Sequence, residues 1–151
     1  MSGLILTRDD DLSPDALGLI AQSEAELASI YPPEVRYAFS PSELRDAGVC
    51  FVVGKLDETP VACGGVALLD GYGELKRIFV TRSHRSQGCA DEIVAELEKI
   101  AKAAGRNRMR LETGEASPEA IRFYSRLGYA RIGPFGAYEE NGSSVFMEKV
   151  L

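Results

Sequence analysis

The chain has 151 residues, of which 45% are hydrophobic and 26% charged, with a formal net charge of -6 and a pI near 4.9. That length suits one domain spanning residues 1–151 with a full core. The acidity argues against nucleic acid as a partner, which wants a clustered basic face, and it mildly favours an amine substrate. No charged-then-apolar leader opens the chain, and no apolar run nears the ~20 residues that span a bilayer, so no membrane partner is expected and the cytoplasm is the default location.

In chain order, residues 4–8 read as an edge strand, and Ser13-Pro14-Asp15-Ala16 as a capped helix start with proline in the first turn. This helix turns Leu17, Ile20, Ala21, Leu27 and Ile30 toward a core, and Tyr31-Pro32-Pro33 stops it. Ser40-Pro41-Ser42-Glu43 repeats the start signal for a short second helix. Residues 49–56 and 60–69 form two strands joined at Asp57-Glu58-Thr59, and Gly64-Gly65 inside the second allows a bulge or a close backbone approach.

Leu75 to Val80 is a β-branched and aromatic run, hence a strand. Ile93, Val94, Leu97, Ile100, Ala101 and Ala104 then recur on one helical face, and Gly105 ends that helix. Between strand and helix lies Arg85-Ser86-Gln87-Gly88-Cys89-Ala90. The first N–H groups of a helix lack partners and its dipole puts positive charge there, so this loop reads as an anion site. Asp91 and Glu92 suit the dipole but place negative charge beside an anionic ligand, which weakens its binding. Downstream come a strand over residues 108–112, a helix from Ser117-Pro118 to Leu127-Gly128, and two strands, 129–132 and 144–150, separated by a glycine-rich loop. The order predicts a mixed α/β sheet in three layers.

The three cysteines are widely spaced with no C-x-x-C pair, and the chain has one histidine, so neither a disulfide framework nor a metal site is expected. Cys50 and Cys63 read as small core residues. Cys89 is either a spacer in the loop or a thiol acidified by the helix N-terminus.

Arg85-x-x-Gly88-x-Ala90, preceded by a strand and opening an amphipathic helix, resembles the acetyl-CoA pyrophosphate signature Q/R-x-x-G-x-G/A of the GNAT acyltransferases. Ala120-x-x-Phe123-Tyr124-x-x-x-Gly128-Tyr129 resembles the family's downstream segment. Leu111 to Gly114, Gly133 to Gly136 and Ser144 to Lys149 look like a small bacterial single-domain subgroup. The resemblance covers roughly residues 49 to 151.

It implies a central, mostly antiparallel sheet of six to seven strands flanked by about four helices. It also implies an acetyl-CoA-dependent N-acetyltransferase that acetylates a small-molecule amine by direct transfer in a ternary complex, without a metal. Protein or peptide amines, or a non-catalytic acyl-CoA-binding module, are the alternatives. By resemblance, Ile78, Phe79 and Val80 offer backbone groups to the pantetheine, and residues Arg85, Ser86, Gln87, Gly88, Cys89 and Ala90 hold the pyrophosphate. Tyr124 protonates the thiolate, and Ser117 stands where many members have a coenzyme-binding asparagine. Glu74, eleven residues before Arg85, matches the general base of histone-modifying members, with Glu112 or water in reserve. Tyr31, Tyr37 and Glu112 fall where the acceptor binds, and a homodimer is an option common in the family. Arg77 and Arg110 either clamp an acidic substrate or pair with nearby carboxylates.

Overall fold

A computed structural model describes residues 3–32 and 40–151. Its elements are β1 (Ile5–Arg8), α1 (Pro14–Ala28), α2 (Pro41–Asp46), β2 (Cys50–Leu56), β3 (Thr59–Leu69), β4 (Tyr72–Val80), α3 (Cys89–Ala103), β5 (Arg108–Gly114), α4 (Pro118–Arg126), β6 (Ala130–Ile132) and β7 (Ser144–Val150). The strands form one sheet ordered β1-β2-β3-β4-β5-β7-β6. Among the described residues only β4 and β5 run parallel. This is the mixed, mostly antiparallel sheet expected of the sequence. Among the described residues no helix is long and apolar enough to cross a membrane.

Turn chemistry sets the strand ends. Asp57 and Glu58 both have positive φ, 48° and 68°, the two-residue hairpin geometry that matches strand twist. Asp70-Gly71, in which only Gly71 has a positive φ, 84°, makes a second two-residue turn of another type and pairs Leu69 with Tyr72. β4 therefore starts at Tyr72, three residues earlier than its apolar run implies, and Glu74 lies inside the strand.

Two apolar layers cover the sheet. One joins α3 and Tyr124 of α4 to residues such as Val66, Leu75, Met109 and Met147. The other packs Ala16, Leu19 and Ile20 of α1 and Leu44 of α2 on Phe51, Val53, Cys63, Ala67 and Phe79. On α1 the buried stripe is Ala16, Leu19, Ile20 and Ser23, so the expected inward placement of Leu17 and Ala21 is corrected: both face solvent. Leu27 is partly buried and lines an open cleft; Ile30, also expected inward, lies past the end of α1 and is 45% exposed at the same cleft.

Of the serine caps expected at the starts of α1 and α2, one stands. Ser40 makes a reciprocal capping box with Glu43. Ser13 does not cap; its hydroxyl and N–H go to Asp9, at 2.5 and 2.9 Å.

β4 carries a bulge. Cys63 pairs with Phe79 but Gly65 pairs with Lys76, so β4 spends one extra residue there, and Arg77 takes φ 56°. The bulge reverses the side-chain alternation. Leu75 joins the α3 layer, whereas Phe79, four residues on, joins the α1 layer. A Cβ on Gly64 would lie 2.5 Å from Ile78 Cδ1 and 2.8 Å from Ile93 Cγ2, so glycine is what lets β4 and α3 close over this point.

Candidate active site

β4 and β5 pair only at Gly73 with Met109 and Glu74 with Arg110. Both strands run on, to Val80 and Gly114, with no ladder between them. The result is a splayed opening in the sheet, part of a cleft of about 940 Å³ lined by β4 from Leu75, β5 from Leu111, the start of α3, the inner side of α4 and the end of α1. A parallel strand edge without a partner leaves N–H and C=O groups to be satisfied by a ligand or by water.

The anion loop sits at one end of this cleft. Gly88 is the N-cap of α3 at φ 85°, and no side chain caps the helix. Its would-be Cβ meets nothing within 4 Å, so the left-handed turn, rather than a close approach, calls for glycine. The unpartnered first-turn N–H groups of α3 therefore border the cleft at Gly88, Cys89 and Ala90.

Arg85 lines the same cleft, and its side chain also anchors the loop. Its Nε donates to Val80 O at 3.0 Å and its Nη2 to Glu26 at 2.6 Å, and the guanidinium lies 5.5 Å from the Phe79 ring centre. The side chain ties the loop to β4 and α1. Its electrostatic mark is on Glu26, whose carboxyl the Arg85 hydrogen bond holds below the usual range. Gln87 does not border the cleft, whereas Ser86 does. Arg82 and Arg122, which no sequence signal singled out, line it as well. Asp91 pairs with a bidentate Arg126, at 2.9 and 3.1 Å, which offsets part of the repulsion expected from Asp91 and Glu92. Cys89 is 2% exposed, and burial pushes its thiol pKa up. The acidified-thiol reading of Cys89 is thereby corrected.

Tyr124 lines the cleft and packs edge-on against Phe123 and Tyr129. Burial raises its phenol pKa well above the ordinary value. Ser117 heads α4 without capping it; its Oγ shares a 3.0 Å hydrogen bond with Tyr31 Oη across the cleft.

The two carboxylates part ways. Glu74 is 5% exposed, lies 2.7 Å from Lys76 Nζ and accepts a 2.6 Å hydrogen bond from Tyr138. It stands behind Lys76 and Tyr138, which line the cleft while it does not. Glu112 does face the cleft. Ser144 Oγ donates to its Oε2 at 2.7 Å, and burial raises its pKa to about 7 against that hydrogen bond and the nearby Lys76. Arg77 pairs with Glu24, and Arg110 with Glu148 at 2.7 Å, so of the two readings offered for these arginines the structure shows carboxylate pairing. Tyr37, expected in the acceptor pocket, lies outside the described residues. Among the described residues no group of three or more His, Cys, Asp or Glu is placed to hold a metal.

Residues 16–129 match the acetyltransferase (GNAT) family. The chain belongs to that family. It is 33% identical over 153 aligned positions, the full length of both chains, to the IAA acetyltransferase of Azospirillum brasilense. It is 30% identical over 146 positions, 95% of this chain and 97% of the other, to the uncharacterized N-acetyltransferase YsnE of Bacillus subtilis strain 168. A Klebsiella pneumoniae protein provisionally designated an acyl-CoA N-acyltransferase superposes with TM-score 0.83 at 28% identity, covering 100% and 99% of the two chains. The PaiA N-acetyltransferase of Thermoplasma acidophilum, solved with coenzyme A, shares the fold at TM-score 0.75 and 18% identity over 98% and 99%. The protein is a GNAT acetyltransferase, and the alternative of a non-catalytic module is set aside.

Proposed function

We propose that the cleft takes acetyl-CoA along the free edge of β4, with its pyrophosphate at the first turn of α3, and a small-molecule amine at the Glu112 end. One observation carries this reading: the β4–β5 splay joins an uncapped helix N-terminus, a buried tyrosine and a carboxyl titrating near neutrality in a single cleft. The fit to acetyl-CoA rests on the chain's own groups. Unladdered strand amides suit the amides of pantetheine, and the α3 N–H groups, with Arg82 and Arg122 nearby, suit phosphate.

Bound acetyl-CoA supplies an activated thioester. In its ionised form, about half the population near pH 7, Glu112 accepts a proton from the amine as the C–N bond forms. The C–S bond breaks, and Tyr124 Oη gives its proton to the departing sulfur. Burial raises the tyrosine pKa, and the same low-dielectric site makes the thiolate more basic, so donor and acceptor stay matched. Glu112 replaces Glu74 as the base in this reading, because Glu74 is already held by Lys76 and Tyr138. The relative designated an IAA acetyltransferase supports a small-molecule acceptor.

The test is calorimetric titration with acetyl-CoA, free CoA and NAD, followed by thiol release from acetyl-CoA in the presence of a panel of amines, amino acids and peptides. Binding of both CoA species but not NAD, with turnover on a small amine, supports the reading. No heat with acetyl-CoA from a folded sample overturns it. Turnover on peptides alone moves the acceptor to protein N-termini.

A further inference from the structure

Among the described residues, Ser144 is the side chain that hydrogen-bonds Glu112. Phe146 is its register partner on β7, and Ser144 pairs with Gly114, so Ser144 is the diagonal neighbour on the same face of the sheet. Gly114 has no side chain to intervene, and the Ser144 hydroxyl reaches Glu112 Oε2 at 2.7 Å.

The direction of that hydrogen bond is fixed by the turn before β7. Asn141 Oδ1 accepts the N–H groups of Ser143 and Ser144, both at 2.8 Å. Oδ1 is thereby identified as the oxygen, and the amide nitrogen must point the other way, toward Ser144 Oγ, where it donates at 3.1 Å. With an N–H entering the hydroxyl oxygen, the hydroxyl proton is directed at Glu112. The chain Asn141 to Ser144 to Glu112 therefore presents a donor to one carboxylate oxygen.

We propose that Ser144, oriented by Asn141, is a positioning residue that fixes the rotamer of Glu112 and keeps its second oxygen turned to the amine. The proposal rests on Glu112 acting as the base. It gives the first residue of β7, and the Asn141 turn before it, a task in the reaction.

A donor to the ionised form favours that form, so the same contact also opposes the effect of burial on Glu112. The other groups facing Glu112 act with opposing signs. From β4, Lys76 favours its ionisation and Glu74 disfavours it. Tyr138, from the loop after β6, feels the Glu112 charge. Tyr31 of the α1 end lies over Gly114, two residues on.

The experiment is a carboxyl ¹³C NMR titration of glutamate-labelled full-length protein, with the Glu112 signal assigned by its loss in Glu112→Gln. In Ser144→Ala the Glu112 midpoint should rise by roughly 1–2 pH units, the size of one charge-assisted hydrogen bond. Ser144→Thr should restore it, and Asn141→Ala should move it in the same direction by less. Turnover by thiol release should fall roughly three- to tenfold in Ser144→Ala, with the KM for acetyl-CoA unchanged and the acidic limb of the pH profile displaced upward with the midpoint. An unmoved midpoint and limb in both Ser144→Ala and Asn141→Ala, alongside any loss of thermal stability, would overturn the proposal. Full turnover in Glu112→Gln would instead overturn the base assignment, a failure read on a different variant.

Discussion

The Tyr31 hydroxyl occupies the space that a side chain on Gly114 would need. A Cβ there would lie 1.8 Å from Tyr31 Oη, and that oxygen is hydrogen-bonded to Ser117 Oγ at 3.0 Å. Gly114 closes β5 and Ser117 opens α4, so one tyrosine from the α1 end spans both sides of the cleft.

Gly114→Ala should displace Tyr31 and break its bond to Ser117. Tyr31 is the end of a movable side chain, so the cost should be about 1 kcal/mol rather than that of a rigid clash. Tyr31→Ala should cost a similar amount, and the double variant no more than either alone, because the three atoms nearest to a Cβ at position 114 all belong to Tyr31. Urea unfolding of the four proteins tests this coupling; simple additivity would mean that the two residues act independently.

Glu112 makes stability depend on pH with a definite sign. Its pKa rises from 4.5 to about 7 on folding, so the native state holds a proton that the unfolded state releases. The resulting stabilisation is complete below pH 4.5 and is lost as the pH climbs to about 7. The shift of about 2.5 units corresponds to roughly 3 kcal/mol across that window. Glu112→Gln removes the titration, so the stability difference between variant and wild type should move in the variant's favour by up to that amount between pH 4 and pH 8. Urea unfolding at each pH reads it directly. A parallel pair of curves would mean that Glu112 titrates normally.

Tyr124 has only its hydroxyl at stake in the chemistry. Tyr124→Phe keeps the edge-on packing with Phe123 and Tyr129 and should leave the Tm and CoA affinity close to wild type. Turnover should fall by roughly 10²-fold or more if the hydroxyl protonates the leaving sulfur. Calorimetry and thiol release on one sample separate the two effects, and unchanged turnover removes the acid role.

Local features were readable in the chain before the structure. The α3 stripe, the Gly88 turn and the Gly105 stop need only neighbours in sequence, and each stands where its pattern puts it. The site was only half readable. Lys76, Tyr138 and Glu74 meet across more than sixty positions, with Tyr138 bonded to Lys76 at a separation of 62 and to Glu74 at 64. No periodicity announces such contacts. The β4 bulge was hidden for a different reason. Arg77 adopts a positive φ that its side chain gives no hint of, and one inserted residue reverses which of Ile78, Phe79 and Val80 faces α3. Glycine at 64 was the visible half of that device.

Gly64 is therefore the position at which sequence and site can be tested together. Its missing Cβ leaves room for Ile78 Cδ1 and Ile93 Cγ2; Ile93 is fully buried, and Ile78 lines the cleft beside the bulge. In Gly64→Ala the buried Ile93 cannot swing away, so the strain should fall on Ile78 and on the separation of β4 from α3. The expected cost is about 1–3 kcal/mol, a Tm lower by roughly 3–10 °C for a chain of this size, with weaker acetyl-CoA binding because the displaced residue borders the splay. Ile78→Val shortens the nearer side chain and should recover most of the loss in the Gly64→Ala background while costing little alone. If the double variant is no more stable than Gly64→Ala, the close approach of β4 is not what requires glycine, and the bulge owes its place to Arg77 alone.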